Sequence, residues 1–553
     1  MKRFLSLLLC TILILPVICV PASAVGSIYD PGDVPKVFIT TSSSVSLEYS
    51  NCKIQIIDAA GGSVPELIDN GAVFKIRGNS TSSGAKKPYN IKFSSKTSVL
   101  GMGKNKKWCL LANCYDKSLI RNQMVLDFAD TIGLAYTPQY RVVEVYLNGA
   151  FQGTYLLTDA IKASSSRVDI DIEGHEFILE RDARTDEGTT YFTTSRYGIR
   201  LGINEPEEQT SEQYSWLMNF LREAENALAS GDYDKVREYF DIESMIDFYI
   251  VLEYFKNVDV DTGSTRFYIK GDKIYGGPCW DFDLSSGNCD YNYYWTYNNA
   301  NTTGDSTQGL WCNKLWFRPL LTYPEFFSAL KQRYLELQDN IVNLYADDRL
   351  GKNQIDAIQD EYGEVFKRNY REAGWSISAK YSELERFPSG SYSQELSYLR
   401  SWLKKRNQWL LEFYDLKSEL ELKKGSTYKI RNYFIDGVTE NTSYASILEQ
   451  FDDETAYGVT ASGRLVSPME LAVNGSYITI GGASYTVLIR GDAIADGAIN
   501  VADYVFIKRY VLHSVDTDDA MRKLASDVNG NGTVDATDYA IVKRHVLGTF
   551  TMA

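Results

Sequence analysis

Near its C-terminus the chain repeats itself: GDAIADGAINVADYVFIKRY begins at Gly491, and SDVNGNGTVDATDYAIVKRH runs through the same pattern thirty-five residues later. Each copy is an acidic loop that leads into a short helix-period segment. A twelve-residue Ca²⁺ loop needs side-chain oxygens at positions 1, 3, 5, 9 and 12, a backbone carbonyl at 7, and Gly at 6 where the chain turns sharply. The second copy meets every requirement with Asp527, Asn529, Asn531, Gly532, Thr533, Asp535 and Asp538. The first supplies Asp492, Asp496, Gly497, Ala498, Asn500 and Asp503 but puts Ile494 at position 3, so this site is expected to bind more weakly or to recruit water. In-register duplication, with DYVFIKRYVL matching DYAIVKRHVL, marks a repeated structural unit rather than an ordinary acidic turn.

These residues, Gly491 to about Phe550, resemble a type I dockerin. The resemblance implies an all-α, Ca²⁺-binding module that docks onto a cohesin domain of a scaffold protein, as in cellulosomes. In that family the residues just before the last loop ligand and a dipeptide in the following helix contact the cohesin. Carried over, these are Val501, Ala502, Lys508 and Arg509 in one copy, and Ala536, Thr537, Lys543 and Arg544 in the other. Two similar faces would allow two docking orientations.

A chain of 553 residues divides into two to four domains. Its start reads as an export signal over residues 1–24. Lys2 and Arg3 precede an apolar run from Leu5 to Val20, and Ala22-Ser23-Ala24 offers a small-residue cleavage site. Lipidation at Cys19 is disfavoured because Ile18 before it is bulky. No later stretch approaches the roughly 20 apolar residues that cross a bilayer, so the expectation is a secreted, extracellular protein, released or held by a partner. Lys and Arg number 57 against 72 Asp and Glu, a net charge of −15 that argues against a nucleic-acid partner.

Cysteine and histidine usage excludes more. Six Cys follow the signal (Cys52, Cys109, Cys114, Cys279, Cys289 and Cys312). They are expected to be small buried hydrophobes or to form one or two bridges, and Cys109 and Cys114 lack the CxxC spacing of zinc or redox sites. Of three His, only His175 lies outside the C-terminal repeat, which makes a Ser-His-Asp hydrolase or a His-rich zinc enzyme hard to build. Chemistry therefore falls to carboxylates, Lys and Arg, with His175 read as a strand-edge residue.

From Val34 to Phe93 short alternating runs broken by Gly, Pro and Ser predict strands, and RVVEVYLNGAFQGTYLLTDAI predicts a hairpin about Asn148-Gly149. After Gln209 helices dominate: Thr210 with Gln213 makes a capping-box start, and amphipathic stretches lie around 324–345, 353–371 and 392–414. Residues 25–420 therefore read as one domain of the α+β class. Residues 421–489 read as a small β-rich spacer module with one short helix, and 490–550 as the Ca²⁺ module.

Two stretches of the large domain exceed what packing asks for. FKIRGNSTSSGAKKPYNIKF is a strand, a donor-rich Gly/Ser/Asn loop, two Lys and another strand, a hairpin able to close over phosphates while Lys87 or Lys92 neutralises them. A plain turn would look similar. In NVDVDTGSTRFYIKGDKIYGGPCWDFDLSSG, Asp259 and Asp261 follow a helix, and Asp281 and Asp283 follow a strand beside Trp280. Carboxylates grouped this way could hold Mg²⁺ and a base, or could only cap and salt-bridge the fold.

The ordered set RGNSTSSGAKKPYNIKF, WCLLANCYDKSLIRNQMVLDFA, VEVYLNGAFQGTYLLTDAI, FILERD, EYFKNVDVD and CWDFDLSSG, then LWFRPLLTYPEFFSALKQRY to WLKKRNQWL, resembles the CotH kinase family of spore-coat and secreted bacterial proteins, from about 35 to 415. The resemblance implies an atypical protein-kinase-like fold that transfers the γ-phosphoryl of ATP to protein side chains with Mg²⁺. On this resemblance Asp281 looks like the metal-binding aspartate, with Asp283 beside it, and Asp259 like the catalytic-loop base or second metal ligand. Lys87 and Lys92 are the phosphate-contacting candidates, Arg77 and Asn79 belong to the covering loop, and Glu180 and Arg121 are supports by pairing or by packing.

Two positions depart from the family. Arg266 stands where members often carry Asn, and Asp159 stands where many carry Glu. An Arg at a metal-ligand position would weaken cation binding and favour a pseudokinase. Three functions follow: a scaffold-docked kinase acting on protein acceptors, a non-catalytic structural or adhesive component, and a carbohydrate enzyme or binder. The last draws on carboxylate pairs and on the aromatic run YNYYWTYNN from Tyr291.

Overall fold

The computed structural model describes residues 33–58, 67–78, 80–183, 188–290, 305–347, 351–416, 422–431, 434–451, 456–480, 483–517 and 519–552. The export signal, Asn79 and the aromatic run from Tyr291 lie outside the described residues.

Alternation of apolar and polar side chains builds the front of the large domain. In β2 (Ser50–Ile57) Cys52, Ile54 and Ile56 point inward while Lys53 and Gln55 point out, the period of a half-buried strand. With β1 (Lys36–Thr40), β3 (Leu67–Ile76), β4 (Tyr89–Val99), β5 (Met102–Leu111), β6 (Tyr140–Leu147) and β7 (Ala150–Asp159), it forms a closed barrel in the order β1-β2-β3-β4-β5-β7-β6. Parallel pairing of β1 with β6 closes it, with Lys36 opposite Glu144. The sequence patterns cover β1 to β4 and the β6–β7 hairpin but not β5, and they do not show closure, because it depends on pairing residues more than 100 positions apart. The β6–β7 hairpin turns at Asn148 and Gly149 with φ of +49° and +81°, as a tight primed turn requires.

A second sheet of five strands is ordered β12-β11-β8-β10-β9. Its strands are β8 (Phe177–Arg181), β9 (Thr190–Thr193), β10 (Arg200–Glu205), β11 (Thr265–Lys270) and β12 (Lys273–Gly276). The helix Ser211–Leu228 starts with the expected capping box of Thr210 and Gln213. The helix Ile242–Tyr254 is buried from Phe248 to Tyr254 without a break, so it is the central post of the domain rather than an amphipathic surface helix. Burying Glu253 there requires a partner, and Arg406, itself fully buried in the helix Tyr392–Phe413, supplies it, with the N–H groups of Trp311 and Cys312 also donating to Glu253. The stretch read as one helix around 324–345 is two, Pro324–Glu336 and Gln338–Asn343.

The next module carries β13 (Lys429–Arg431), β14 (Phe434–Asp436), β15 (Tyr457–Val459), β16 (Tyr477–Ile480) and β17 (Ala483–Leu488) in a five-stranded sheet ordered β13-β14-β17-β16-β15, with one short helix among the described residues, Tyr444–Leu448. The C-terminal unit is helical: Val501–Val511, Ala520–Ser526 and Ala536–Val546. All six cysteines among the described residues are free and buried, so they act as small hydrophobes. No described helix is long and apolar enough to cross a membrane.

Candidate functional site

The site is built where the central helix ends. Past Tyr254 the chain turns through Lys256 at φ +53° into the segment 257–264. Asn257, 2 % exposed, uses both ends of its side chain. Its Nδ2 donates to the Asp281 carbonyl at 3.1 Å, and its Oδ1 accepts the Asp259 N–H at 2.8 Å. Thr262 Oγ1 donates to Asp259 Oδ1 at 2.9 Å, and Ser264 Oγ donates to Asp281 Oδ2 at 3.1 Å. Asp281 sits at φ +66°, a left-handed conformation costly for a residue with a Cβ and common at functional sites.

The loop that carries Asp281 and Asp283 is fastened to the helix Arg121–Thr131 and to the segment before it. Asn122 Oδ1 accepts the Phe282 N–H at 2.7 Å while its Nδ2 donates to Asn113 Oδ1 at 2.9 Å. Asn288 Nδ2 donates to the carbonyls of Asp283 and Tyr115 at 2.6 and 2.9 Å. Residues 113–122 thus form the mould in which the segment 281–288 is cast.

Electrostatics concentrate at Asp283, which is 7 % exposed. Burial first, then the carboxylates of Asp281, Asp116, Asp259 and Glu385, push its pKa well above the carboxylate range. Asp116 is neutralised by Arg121 and Glu385 by Lys117, at 2.9 Å for the latter, all four side chains being buried. Asp259, Asp281 and Asp283 are the other acids in this neighbourhood, and their carboxylate oxygens are donors of the kind a divalent cation takes. Their ligand atoms do not gather as a set of three. The one such set among the described residues is Asp492, Asp496 and Asp503, within 4.8 Å of one another.

That set belongs to the first C-terminal loop. Asp492 accepts the N–H groups of Asp496 and Gly497 at 3.1 and 3.0 Å, and Asp503 accepts those of Ile494 and Asn500 at 2.9 Å. The second loop repeats the wiring: Asp527 accepts from Asn531 and Gly532 at 3.0 Å, and Asp538 from Val528 and Asp535 at 2.9 and 2.8 Å. Gly497 and Gly532 hold φ of +85° and +88°, the sharp turn of position 6. Burial, then the neighbouring Asp503 and Asp496, push Asp492 up to about 6, so this loop gathers negative charge despite Ile494. Val501, Ala502, Lys508, Arg509, Ala536, Thr537, Lys543 and Arg544 are all exposed.

Compared with protein-family models, residues 74–410 match the family described as CotH kinase protein. The chain belongs to the CotH kinase protein family. Residues 490–547 match the dockerin type I domain, which gives the chain its Ca²⁺-binding and cohesin-binding unit. No curated protein matches the chain.

Within the CotH domain the cationic residues read from the sequence part company. Arg77 lies over the Trp280 ring at 5.2 Å, next to Asp281 in the chain. Lys87 Nζ donates to the Ser82 carbonyl at 2.9 Å and so closes its own hairpin loop. Lys92 is exposed, on the outward face of β4, and lines a separate groove with Lys107, Lys162 and Glu207 that none of Asp259, Asp281 and Asp283 lines. The residue that sequence reasoning missed is Lys86, 2 % exposed. Its Nζ donates to the carbonyls of Ala112 and Thr154 and to Asn369 Oδ1, and burial pulls it down to about 7. Two adjacent lysines before a strand carry no sign of which one is buried.

The departures resolve locally. Arg266 pairs with Glu180, its neighbour across β8 and β11, at 2.6 Å, and lies over Trp280 at 5.6 Å. Glu180 and Arg121 both support by pairing. Asp159 pairs with Arg167 at 3.0 Å. His175 stacks on Trp216 with ring centroids 4.7 Å apart.

The β-rich module grips the dockerin. Arg490 donates to both carboxylate oxygens of Asp436 at 3.0 Å and lies 3.5 Å from Asp527, the first ligand of the second loop. Asn474 Nδ2 donates to the Asp492 carbonyl at 2.6 Å, and Glu440 accepts the Ile499 N–H at 2.7 Å and meets His545 at 2.9 Å. Phe434, Leu488 and Ala525 add an apolar contact.

Proposed function

We propose that the CotH domain transfers the γ-phosphoryl group of ATP to hydroxyls of a protein acceptor, and that the dockerin holds this secreted chain on a scaffold. The observation that supports it best is Asn257, whose one amide ties the Asp259 backbone to that of Asp281. Phosphoryl transfer demands this kind of fixed spacing, since positioning and charge neutralisation supply most of the acceleration. Asp281 and Asp283 have the hard oxygen donors that suit Mg²⁺, and bound Mg²⁺ would supply charge neutralisation on the phosphates. Asp259, oriented by Thr262, would accept the proton of the acceptor hydroxyl. Arg77, steadied on Trp280, would face phosphate oxygens.

Arg266 bears on the pseudokinase reading. It is engaged by Glu180, so its presence does not in itself occupy a cation position. The test is Mg-ATP binding and phosphate transfer by the purified chain, wild type against Asp259→Ala. Retained binding with transfer lost supports the assigned roles, whereas transfer unaffected by the substitution removes Asp259 from them.

A further inference from the structure

Lys86 puts a positive charge where the fold gives it no counter-ion. It is 2 % exposed, and no carboxylate pairs with it among the described residues. A methionine would fill the same space without the cost of burying a charge, so the ammonium has to be explained by what it holds. Its three acceptors come from three separate parts of the domain: the Ala112 carbonyl at 2.9 Å, just past β5, the Thr154 carbonyl in β7, and Asn369 Oδ1 at 2.9 Å in the helix Gln354–Arg371. Asn369 Oδ1 also accepts the Thr154 N–H at 3.1 Å, so the helix and the strand are joined at the same point. The Tyr155 ring lies 4.5 Å from the ammonium, and the Tyr155 hydroxyl donates to the Lys87 carbonyl at 2.9 Å.

Lys86 stands at the foot of a turn that is braced internally. The Ser83 and Gly84 N–H groups donate to the carbonyls of Ser80 and Thr81 at 3.3 and 3.0 Å, and Lys87 closes the turn on the Ser82 carbonyl. Whatever places the foot of such a turn places all of it. The turn meets the aspartate site at two points. A Cβ on Gly84 would stand 3.3 Å from Cys114 Sγ. The Ser80 side chain lies at the Tyr115 hydroxyl, which burial raises to about 12 with Asp283 among the neighbours that push it further up. Cys114 and Tyr115 belong to the mould that shapes the segment 281–288, and Ala112, whose carbonyl Lys86 holds, is the residue before that mould. Arg77, just before the turn, lies over Trp280.

We propose that Lys86 is a positioning residue for the nucleotide: its ammonium sets the turn 80–84, and with it Arg77, at the place where the phosphates of ATP would be met, without touching them itself. The inference rests on the phosphotransferase reading and names what holds the phosphate-facing side of that site. An arginine serves phosphate binding only when its fork is presented at the right place, and that place is fixed from behind, by a residue shut off from solvent.

The experiment uses the full chain and reads the turn and the nucleotide separately. Hydrogen exchange in the absence of nucleotide follows the amides of 80–84, and steady-state kinetics with Mg-ATP follows KM and kcat. In Lys86→Met, exchange at 80–84 is expected to quicken at least tenfold while the helix Ser211–Leu228 keeps its rate, and KM for ATP to rise at least tenfold with kcat within threefold. Exchange that quickens equally in that helix, or not at all at 80–84, overturns the proposal, because Lys86 would then serve stability alone. So does a loosened turn with KM unchanged, or a loss confined to kcat. Where Lys86→Met does not fold, Asn369→Asp decides. It keeps the shape of the acceptor and gives the ammonium a counter-ion, so exchange at 80–84 is expected to slow at least threefold, and an unchanged or faster rate overturns the proposal. A loosened turn in Lys86→Met with no Mg-ATP binding by the wild type overturns the phosphotransferase reading instead and leaves Lys86 the anchor of the turn.

Discussion

The Asn257 side chain donates to the Asp281 carbonyl at 3.1 Å, which pins a residue in left-handed conformation to the loop that carries Asp259. Asn257→Ala removes this bond and the acceptor for the Asp259 N–H together. Phosphate transfer is expected to fall about a hundredfold through kcat, because sub-ångström misplacement costs that much while nucleotide contacts persist. Steady-state kinetics with ATP titration checks it, and a change confined to KM would show that Asn257 serves binding instead.

Replacing Arg266 by the Asn that family members often carry is expected to cost activity or stability and to restore nothing. Glu180 would lose its cation while remaining mostly buried, at a cost of about 1–3 kcal/mol. Chemical denaturation reads the loss. A gain in phosphate transfer in Arg266→Asn would mark the native chain as a degraded kinase.

Asp127 gives a pH signature. Burial raises it to about 6, against the hydrogen bonds donated by Tyr140 at 2.5 Å and Gln354 at 3.0 Å. Its folded pKa exceeds the unfolded value of about 4, so its contribution to stability is fully present below about pH 4 and is lost as pH rises through 6. The difference in unfolding free energy between wild type and Asp127→Asn should change by roughly 2–3 kcal/mol over that window. A flat difference from pH 4 to 7 would show that the carboxyl is solvated.

Dockerin stability should depend on the β-rich module. A fragment of residues 421–553 is expected to bind Ca²⁺ about tenfold more tightly than 490–553, since Asn474, Glu440 and, through Arg490, Asp436 hold both loops in place. Calorimetric Ca²⁺ titration compares the two. Chelation should abolish cohesin binding in both, and Asp538→Ala should weaken it more than Asp503→Ala if the second loop is the stronger site.

What could be read from the sequence followed period and spacing. Loop ligands at 527–538, the Asn148-Gly149 hairpin and the Thr210 cap depend on residues near one another in the chain, and each was legible. The barrel closure, the Glu180–Arg266 pair and the Asp436–Arg490–Asp527 link join distant positions, and nothing local announces them. The same limit explains Lys92 and Lys86: within one lysine-rich hairpin, facing is set by register against β3 and β5, which the sequence alone leaves unstated. Asn257 carries no sign in the sequence because an amide beside Asp259 and Asp261 draws no attention until both of its bonds are seen.

The central claim is that Asp281 belongs to a phosphoryl-transfer centre. Transfer of labelled phosphate from Mg-ATP to a protein acceptor, measured for wild type and Asp281→Ala, tests it most directly. Wild-type transfer that requires Mg²⁺ and falls at least a thousandfold in the variant, with the fold intact by circular dichroism, is the predicted result. Wild-type protein that neither binds Mg-ATP nor transfers phosphate, or transfer that survives Asp281→Ala, would contradict the account.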